Sequence, residues 1–258
     1  MDLHYRQYSE AGPPLLILHG LFGSLGNWGW HSKQLAESFS VYGVDLRNHG
    51  DSPHSERLDY QVMAEDVRQL IERLGLDSCS IIGHSMGGKV AMQLALSYPD
   101  LLEKLVVVDI APVAYPEGAD NHMNVLAAMD AVKIDEVKSR TEAEVTLKEF
   151  IPEEAIRKFI LTNLLRNGQG LFEWRINKDA IRKNYPALRA AVVGERSFDK
   201  PVLFVKGGAS NYIQAEHEEA ISALFPNAAV KGGLEAGHWL HAEQPQALQK
   251  LLMNFLLA

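Results

Sequence analysis

Gly83-His84-Ser85-Met86-Gly87 lies between an apolar run, Cys79-Ser80-Ile81-Ile82, and a stretch of helical spacing from Lys89 to Tyr98 that Pro99 stops. Read as strand, turn and helix, it sets Ser85 on a sharp turn with a strained backbone, and the residues two positions either side must be small. Gly83 and Gly87 meet that need, while Gly88 and Ala91 keep the helix slim where it passes a sheet. Such a turn lifts the Ser85 hydroxyl clear of the sheet. It also leaves the Met86 amide at a helix N-terminus, where it can donate to a developing oxyanion. An ordinary turn serine is the plain alternative, but a chance Gly-x-Ser-x-Gly seldom has this strand before it and this small-residue helix after it.

Further short apolar runs bounded by turn signals read as strands buried on both faces: Leu15-Leu16-Ile17-Leu18, Val41-Tyr42-Gly43-Val44, Leu105-Val106-Val107-Val108 and Val202-Leu203-Phe204-Val205. Helical patterns lie between them, as in Ala64 to Leu74, closed by Gly75. Alternation of this kind predicts an α/β fold, a mostly parallel, doubly wound sheet with helices on both faces. The rhythm breaks between about Pro112 and Ala191, where Asn121 to Val132, Arg140 to Ile151 and Glu153 to Arg166 have helical spacing with no clear strand between them. The expected organisation is a core of residues 1–111 and 192–258 with a helical cap or lid inserted at 112–191, although a plain structural appendage would fit the same pattern.

A serine hydroxyl needs a base to remove its proton. Of the 10 histidines, His238 is the best placed, because Glu235-Ala236-Gly237-His238-Trp239 follows the expected last strand, Ala228-Ala229-Val230-Lys231. It should therefore share the C-terminal edge of the sheet with Ser85. His241 falls in the run toward the final helix, where a surface role is expected, and the side chain of His84 should point away from Ser85 and support the turn. The base in turn needs a carboxylate to fix its tautomer. Asp109 ends the strand that follows the Ser85 helix, so it belongs at the same edge, a strand spacing of about 4.8 Å along. A structural cap is its plain alternative. Asp199 precedes its strand and falls at the opposite edge. Asp45 sits in a charged loop that is expected to brace itself.

A second oxyanion donor is expected from the Leu21 amide in His19-Gly20-Leu21-Phe22-Gly23, a loop at the same edge. Phe22, Trp174 and Trp239 are candidate walls for an acyl chain, with core filling as the equal alternative for each. With a net charge of -8 and 25 Lys and Arg spread along the chain, no basic stripe points to nucleic acid or an anionic membrane, so a small-molecule substrate is expected. The single cysteine, Cys79, reads as a small buried hydrophobe. No apolar run approaches the roughly 18 residues of a membrane span and the N-terminus is polar, so no stable membrane insertion and a cytoplasmic location are expected.

The chain resembles the α/β-hydrolase superfamily over its whole length, and more narrowly the YbfF-type bacterial esterases. The resemblance rests on His19-Gly20-Leu21-Phe22-Gly23-Ser24, Asp45-Leu46-Arg47-Asn48-His49-Gly50-Asp51-Ser52, Gly83-His84-Ser85-Met86-Gly87-Gly88-Lys89 and Gly237-His238-Trp239-Leu240-His241-Ala242-Glu243. Of these, Arg47-Asn48-His49-Gly50 is the narrower mark, since most relatives carry Gly in place of Asn48. The resemblance implies hydrolysis of carboxylic esters or acyl thioesters, acyl-CoA among them, with no metal and no organic cofactor. Most of the superfamily keeps its acid in the loop after the strand matching Val202 to Val205, but here that loop reads Lys206-Gly207-Gly208-Ala209-Ser210-Asn211-Tyr212, without a carboxylate. YbfF-type enzymes are similar in taking the acid from the preceding strand end, which implies Asp109 and leaves Glu216 or another carboxylate as alternatives. Carbon–carbon bond hydrolysis or a lyase reaction by the same three residues, or a ligand sensor of the same shape, are the competing functions. The sequence is silent on acyl-chain length, leaving group and oligomeric state.

Overall fold

The computed structural model describes every residue except Ala119. Its strands are β1 (Tyr5–Gln7), β2 (Pro14–Leu18), β3 (Ser40–Val44), β4 (Cys79–His84), β5 (Leu102–Val108), β6 (Leu164–Arg166), β7 (Phe172–Trp174), β8 (Val202–Gly207) and β9 (Ala228–Leu234). Seven of them form one sheet in the order β1-β3-β2-β4-β5-β8-β9. Its pairings are parallel except at the edge, where β1 runs antiparallel to β3. All three residues of β1 are exposed, so nothing in their hydropathy marks them as a strand.

Side chains alternate across the central strands. Leu16, Leu18, Ile81, Leu105 and Val107 join the core on one face, and Leu15, Ile17, Ile82, Val106 and Val108 join that on the other. Burial on both faces is why these runs are continuously apolar. The covering helices are α1 (Gly29–Leu35), α2 (Tyr60–Arg73) and α3 (Met86–Ser97), with α4 (His122–Ala131), α5 (Arg140–Lys148), α6 (Glu154–Leu161), α7 (Lys178–Lys183) and α8 (Tyr185–Arg189) between β5 and β8. Then come α9 (Glu218–Leu224), α10 (Leu240–Glu243) and α11 (Pro245–Leu257). Asp59 caps α2 by accepting from the Val62 amide at 2.9 Å, and left-handed Gly75 (φ +68) follows its end.

The segment between β5 and β8 is not wholly helical. Leu164–Arg166, expected as the last turn of a helix, instead pairs antiparallel with β7 in a short hairpin. Both ends of the segment are held by α3. The Lys89 ammonium, 1% exposed as a residue, donates to the Val113 carbonyl at 2.8 Å and the Ala190 carbonyl at 2.6 Å, where the chain leaves the sheet and where it returns. No carboxylate pairs with Lys89 among the described residues, and burial pushes its ammonium down to about 7. Gln93 exchanges two hydrogen bonds with the Val193 backbone, at 2.8 and 3.1 Å.

Candidate active site

Ser85 links β4 to α3 with φ +51 and ψ −119, a left-handed backbone that a residue with a Cβ adopts only under constraint. Close packing supplies the constraint. A Cβ on Gly83 would lie 2.4 Å from the Gly87 carbonyl oxygen, and one on Gly87 would lie 2.5 Å from the carbonyl oxygens of both Leu18 and His19. The glycines are thus required by backbone meeting backbone, which cannot give way as a flexible side chain could. Gly87→Ala should lower the unfolding free energy by about 2–3 kcal/mol, read as a lower urea midpoint at unchanged slope. A midpoint equal to wild type would show that the turn has room.

His238 lies in the loop after β9, and its Nε2 is 2.9 Å from Ser85 Oγ. Its Nδ1 is 2.8 Å from Asp109 Oδ2. A carboxylate accepts, so Nδ1 carries the proton and the Nε2 lone pair faces the serine hydroxyl. Two neighbours hold this loop through three hydrogen bonds. His84 Nε2–H donates to the His238 carbonyl at 2.9 Å, and the Glu243 carboxylate accepts from the amides of Gly237 at 2.7 Å and Trp239 at 3.2 Å.

Asp109 follows β5, is 0% exposed and is itself left-handed, with φ +54. Oδ1 accepts from the Gly207 amide at 2.9 Å, and Oδ2 accepts from the Ser210 hydroxyl as well as from His238. The loop that lacks a carboxylate therefore still meets Asp109, through a neutral donor. Glu216 is exposed, and its carboxylate lies 3.6 Å from the neighbouring His217, not against His238. Asp45 braces its loop as expected from the sequence, accepting from the amides of Leu25 at 2.7 Å and Asp51 at 3.0 Å. His4 completes that brace at 2.8 Å. His4, Asp45 and Asp51 are also the cluster of three potential metal ligands among the described residues, but the Asp45 oxygens are already engaged.

The loop carrying Leu21 touches the serine: a Cβ on Gly20 would lie 3.3 Å from Ser85 Cβ. Among the described residues neither the Leu21 nor the Met86 amide donates to a protein acceptor, so both are free beside the hydroxyl. A cavity of about 340 Å³ is lined by Leu21, Ser85 and His238. Phe22, Val125, Ile156, Phe159, Ile160 and Trp239 make its apolar wall.

Two of the expected wall residues, Phe22 and Trp239, thus line the cavity, and Trp174 does not. Its indole is buried within the β5–β8 segment, with Nε1–H donating to the Met129 carbonyl at 3.1 Å, which ties β7 to α4. His241, expected at the surface, lies in the cavity wall. Its ring stacks on Trp28 at 5.0 Å and sits 4.7 Å from His84, and burial pushes it down to about 3, so it is neutral. The ring of His84 lines the same cavity and spends its Nε2–H on the His238 loop. Tyr212, unmarked in the sequence reading, places its ring 4.1 Å from that of His238.

Residues 13–133 match the family model described as alpha/beta hydrolase fold. The chain is 41% identical over 251 residues to the sn-1-specific diacylglycerol lipase ABHD11 of Mus musculus, covering 95% of this chain and 81% of that protein. It is 35% identical over 252 residues to the esterase YbfF of Escherichia coli, covering 97% of this chain and 95% of the relative. A solved marine microorganism esterase superposes with a TM-score of 0.96 at 40% identity, over 98% of this chain and 99% of that one.

Proposed function

The chain belongs to the α/β-hydrolase family, and from that premise we propose that it hydrolyses carboxylic esters through an acyl intermediate on Ser85. One observation carries the reading: the unbroken contact from Ser85 Oγ through His238 to Asp109, at 2.9 and 2.8 Å. His238 Nε2 takes the hydroxyl proton as Oγ attacks the ester carbonyl, Asp109 stabilises the resulting imidazolium, and the amides of Leu21 and Met86 receive the oxyanion. His238 then returns the proton to the leaving alcohol, and water repeats the cycle on the acyl-enzyme.

In this reading the segment 112–191 is a cap, because α4 and α6 supply Val125, Ile156, Phe159 and Ile160 to the cavity wall. An apolar acyl chain is the substrate feature that such a wall favours. Acyl thioesters, with the same carbonyl geometry, are a further substrate class for the same steps. The relatives named as lipase and esterase support the ester class.

A fluorophosphonate probe tests the reading. Intact mass should rise by one phosphonyl group, peptide mapping should place it on Ser85, and excess p-nitrophenyl butyrate should slow labelling. Folded protein that stays unlabelled, or is labelled only elsewhere, would sink the assignment.

A further inference from the structure

Phe22 has φ +62, a conformation that a bulky side chain seldom adopts. It is the third residue of the turn Gly20-Leu21-Phe22-Gly23, closed by the Gly23 amide donating to the Gly20 carbonyl at 3.0 Å. A left-handed third residue is ordinarily glycine. Something outside the turn must therefore hold it.

The cap does so. Asn163, between α6 and β6 and 1% exposed, donates from Nδ2 to the Phe22 carbonyl at 2.8 Å. Its own backbone is fixed on both sides: its amide donates to the Ile160 carbonyl and its carbonyl accepts from the Arg175 amide, each at 2.9 Å. The Phe22 ring meets His122 of α4 edge-on, with centroids 5.7 Å apart. We propose that Asn163 is a positioning residue that holds the Leu21–Phe22 turn, and with it the Leu21 amide, in the geometry that receives the oxyanion, so that turnover depends on this one contact between cap and core.

Without the Asn163 hydrogen bond the Phe22–Gly23 peptide is free to rotate out of its strained arrangement. The Gly23 amide in that peptide donates to the Gly20 carbonyl, which shares its plane with the Leu21 amide, so the Leu21 N–H then loses its fixed direction, and oxyanion donors work only within about 2.7–3.1 Å of the oxygen. The cap grips the core in the same way at a second left-handed residue. Asn177 donates from its amide to the Asn48 carbonyl at 3.0 Å and from Nδ2 to Asn48 Oδ1 at 3.2 Å, and Asn48 has φ +65. That second grip lies outside the cavity lining and serves as a control.

The inference rests on the ester-hydrolase reading, and one set of assays separates the two. N163A and the near-isosteric N163D are compared with wild type and N177A on p-nitrophenyl butyrate, with kcat expressed per site titrated by fluorophosphonate so that unfolded protein is not counted. Inhibition by an alkyl trifluoromethyl ketone is measured alongside. Its hemiketal, formed as Ser85 Oγ adds to the carbonyl carbon and passes its proton to His238, needs the same oxyanion donors.

Both Asn163 variants should lower kcat about 10- to 100-fold, leave KM within about 3-fold, and weaken the ketone by the factor seen in kcat. N177A should lower Tm while leaving kcat and ketone affinity near wild type. Titratable N163D with kcat and ketone affinity within about 2-fold of wild type would overturn the role of Asn163 alone. A wild-type protein that neither turns over the ester nor binds the ketone would overturn the hydrolase reading, and this inference with it.

Discussion

Ser85→Ala should reduce kcat for a short p-nitrophenyl ester by about 10⁴- to 10⁶-fold while leaving the fold intact. Alanine keeps the Cβ that the left-handed turn already accommodates at φ +51, so the substitution neither relieves nor adds backbone strain. What disappears is the hydroxyl proposed as the nucleophile. The abandoned His238 Nε2 borders the cavity and can bond to water, so no buried group is orphaned and Tm should move little.

His238→Ala should have a comparable effect, because an un-ionised hydroxyl without its base is a poor nucleophile. The two residues act on one proton. The double variant should therefore be no slower than the slower single variant, in place of the product of the two losses. Burst and steady-state kinetics check this, and a Ser85→Ala protein keeping more than about a tenth of wild-type kcat would place the nucleophile elsewhere.

How much of this was legible in the sequence follows from how local each signal is. Ser85 was readable because strand, glycines and helix are contiguous in the chain. The placement of Asp109 needed one tertiary step, the pairing of β4 with β5, and that pairing aligns His84 with Val108 so that Ser85 and Asp109 both come next in line. Parallel strands have few registers that keep both faces apolar, so the step was a short one.

Trp174 and His241 went the other way, because nothing in their neighbours' sequence says which cavity or which interior they face. Trp174 is committed to a carbonyl 45 residues away, and His241 to a stack with Trp28. Asn163 was invisible for the same reason: its partner is 141 residues distant, and its worth depends on a backbone angle at Phe22 that no residue pattern announces. Strand β1 escaped because an edge strand with every side chain exposed carries no hydrophobic alternation.

Asp109→Asn should lower kcat by about 10³- to 10⁴-fold, and the hydrogen bonds around the carboxylate say why. Three donors converge on it: the Gly207 amide on Oδ1, and the Ser210 hydroxyl with His238 Nδ1–H on Oδ2. An asparagine has one acceptor oxygen and one donor nitrogen in the same places. If its nitrogen faces His238, the imidazole must accept at Nδ1 and carry its proton on Nε2, where it can no longer take one from Ser85.

If the amide flips, the nitrogen faces the buried Gly207 N–H and leaves both unpaired, at a cost of about 1–3 kcal/mol for each orphaned group. The first arrangement is therefore favoured, and it is the inactive tautomer. Asparagine tolerates a left-handed backbone, so φ +54 at this position is no obstacle to folding. Stability should fall far less than activity. Measuring kcat and Tm side by side for Asp109→Asn and Glu216→Gln decides the acid: Glu216, exposed and turned toward His217, should be replaceable without loss. Near-wild-type kcat in Asp109→Asn together with collapse in Glu216→Gln would reassign it.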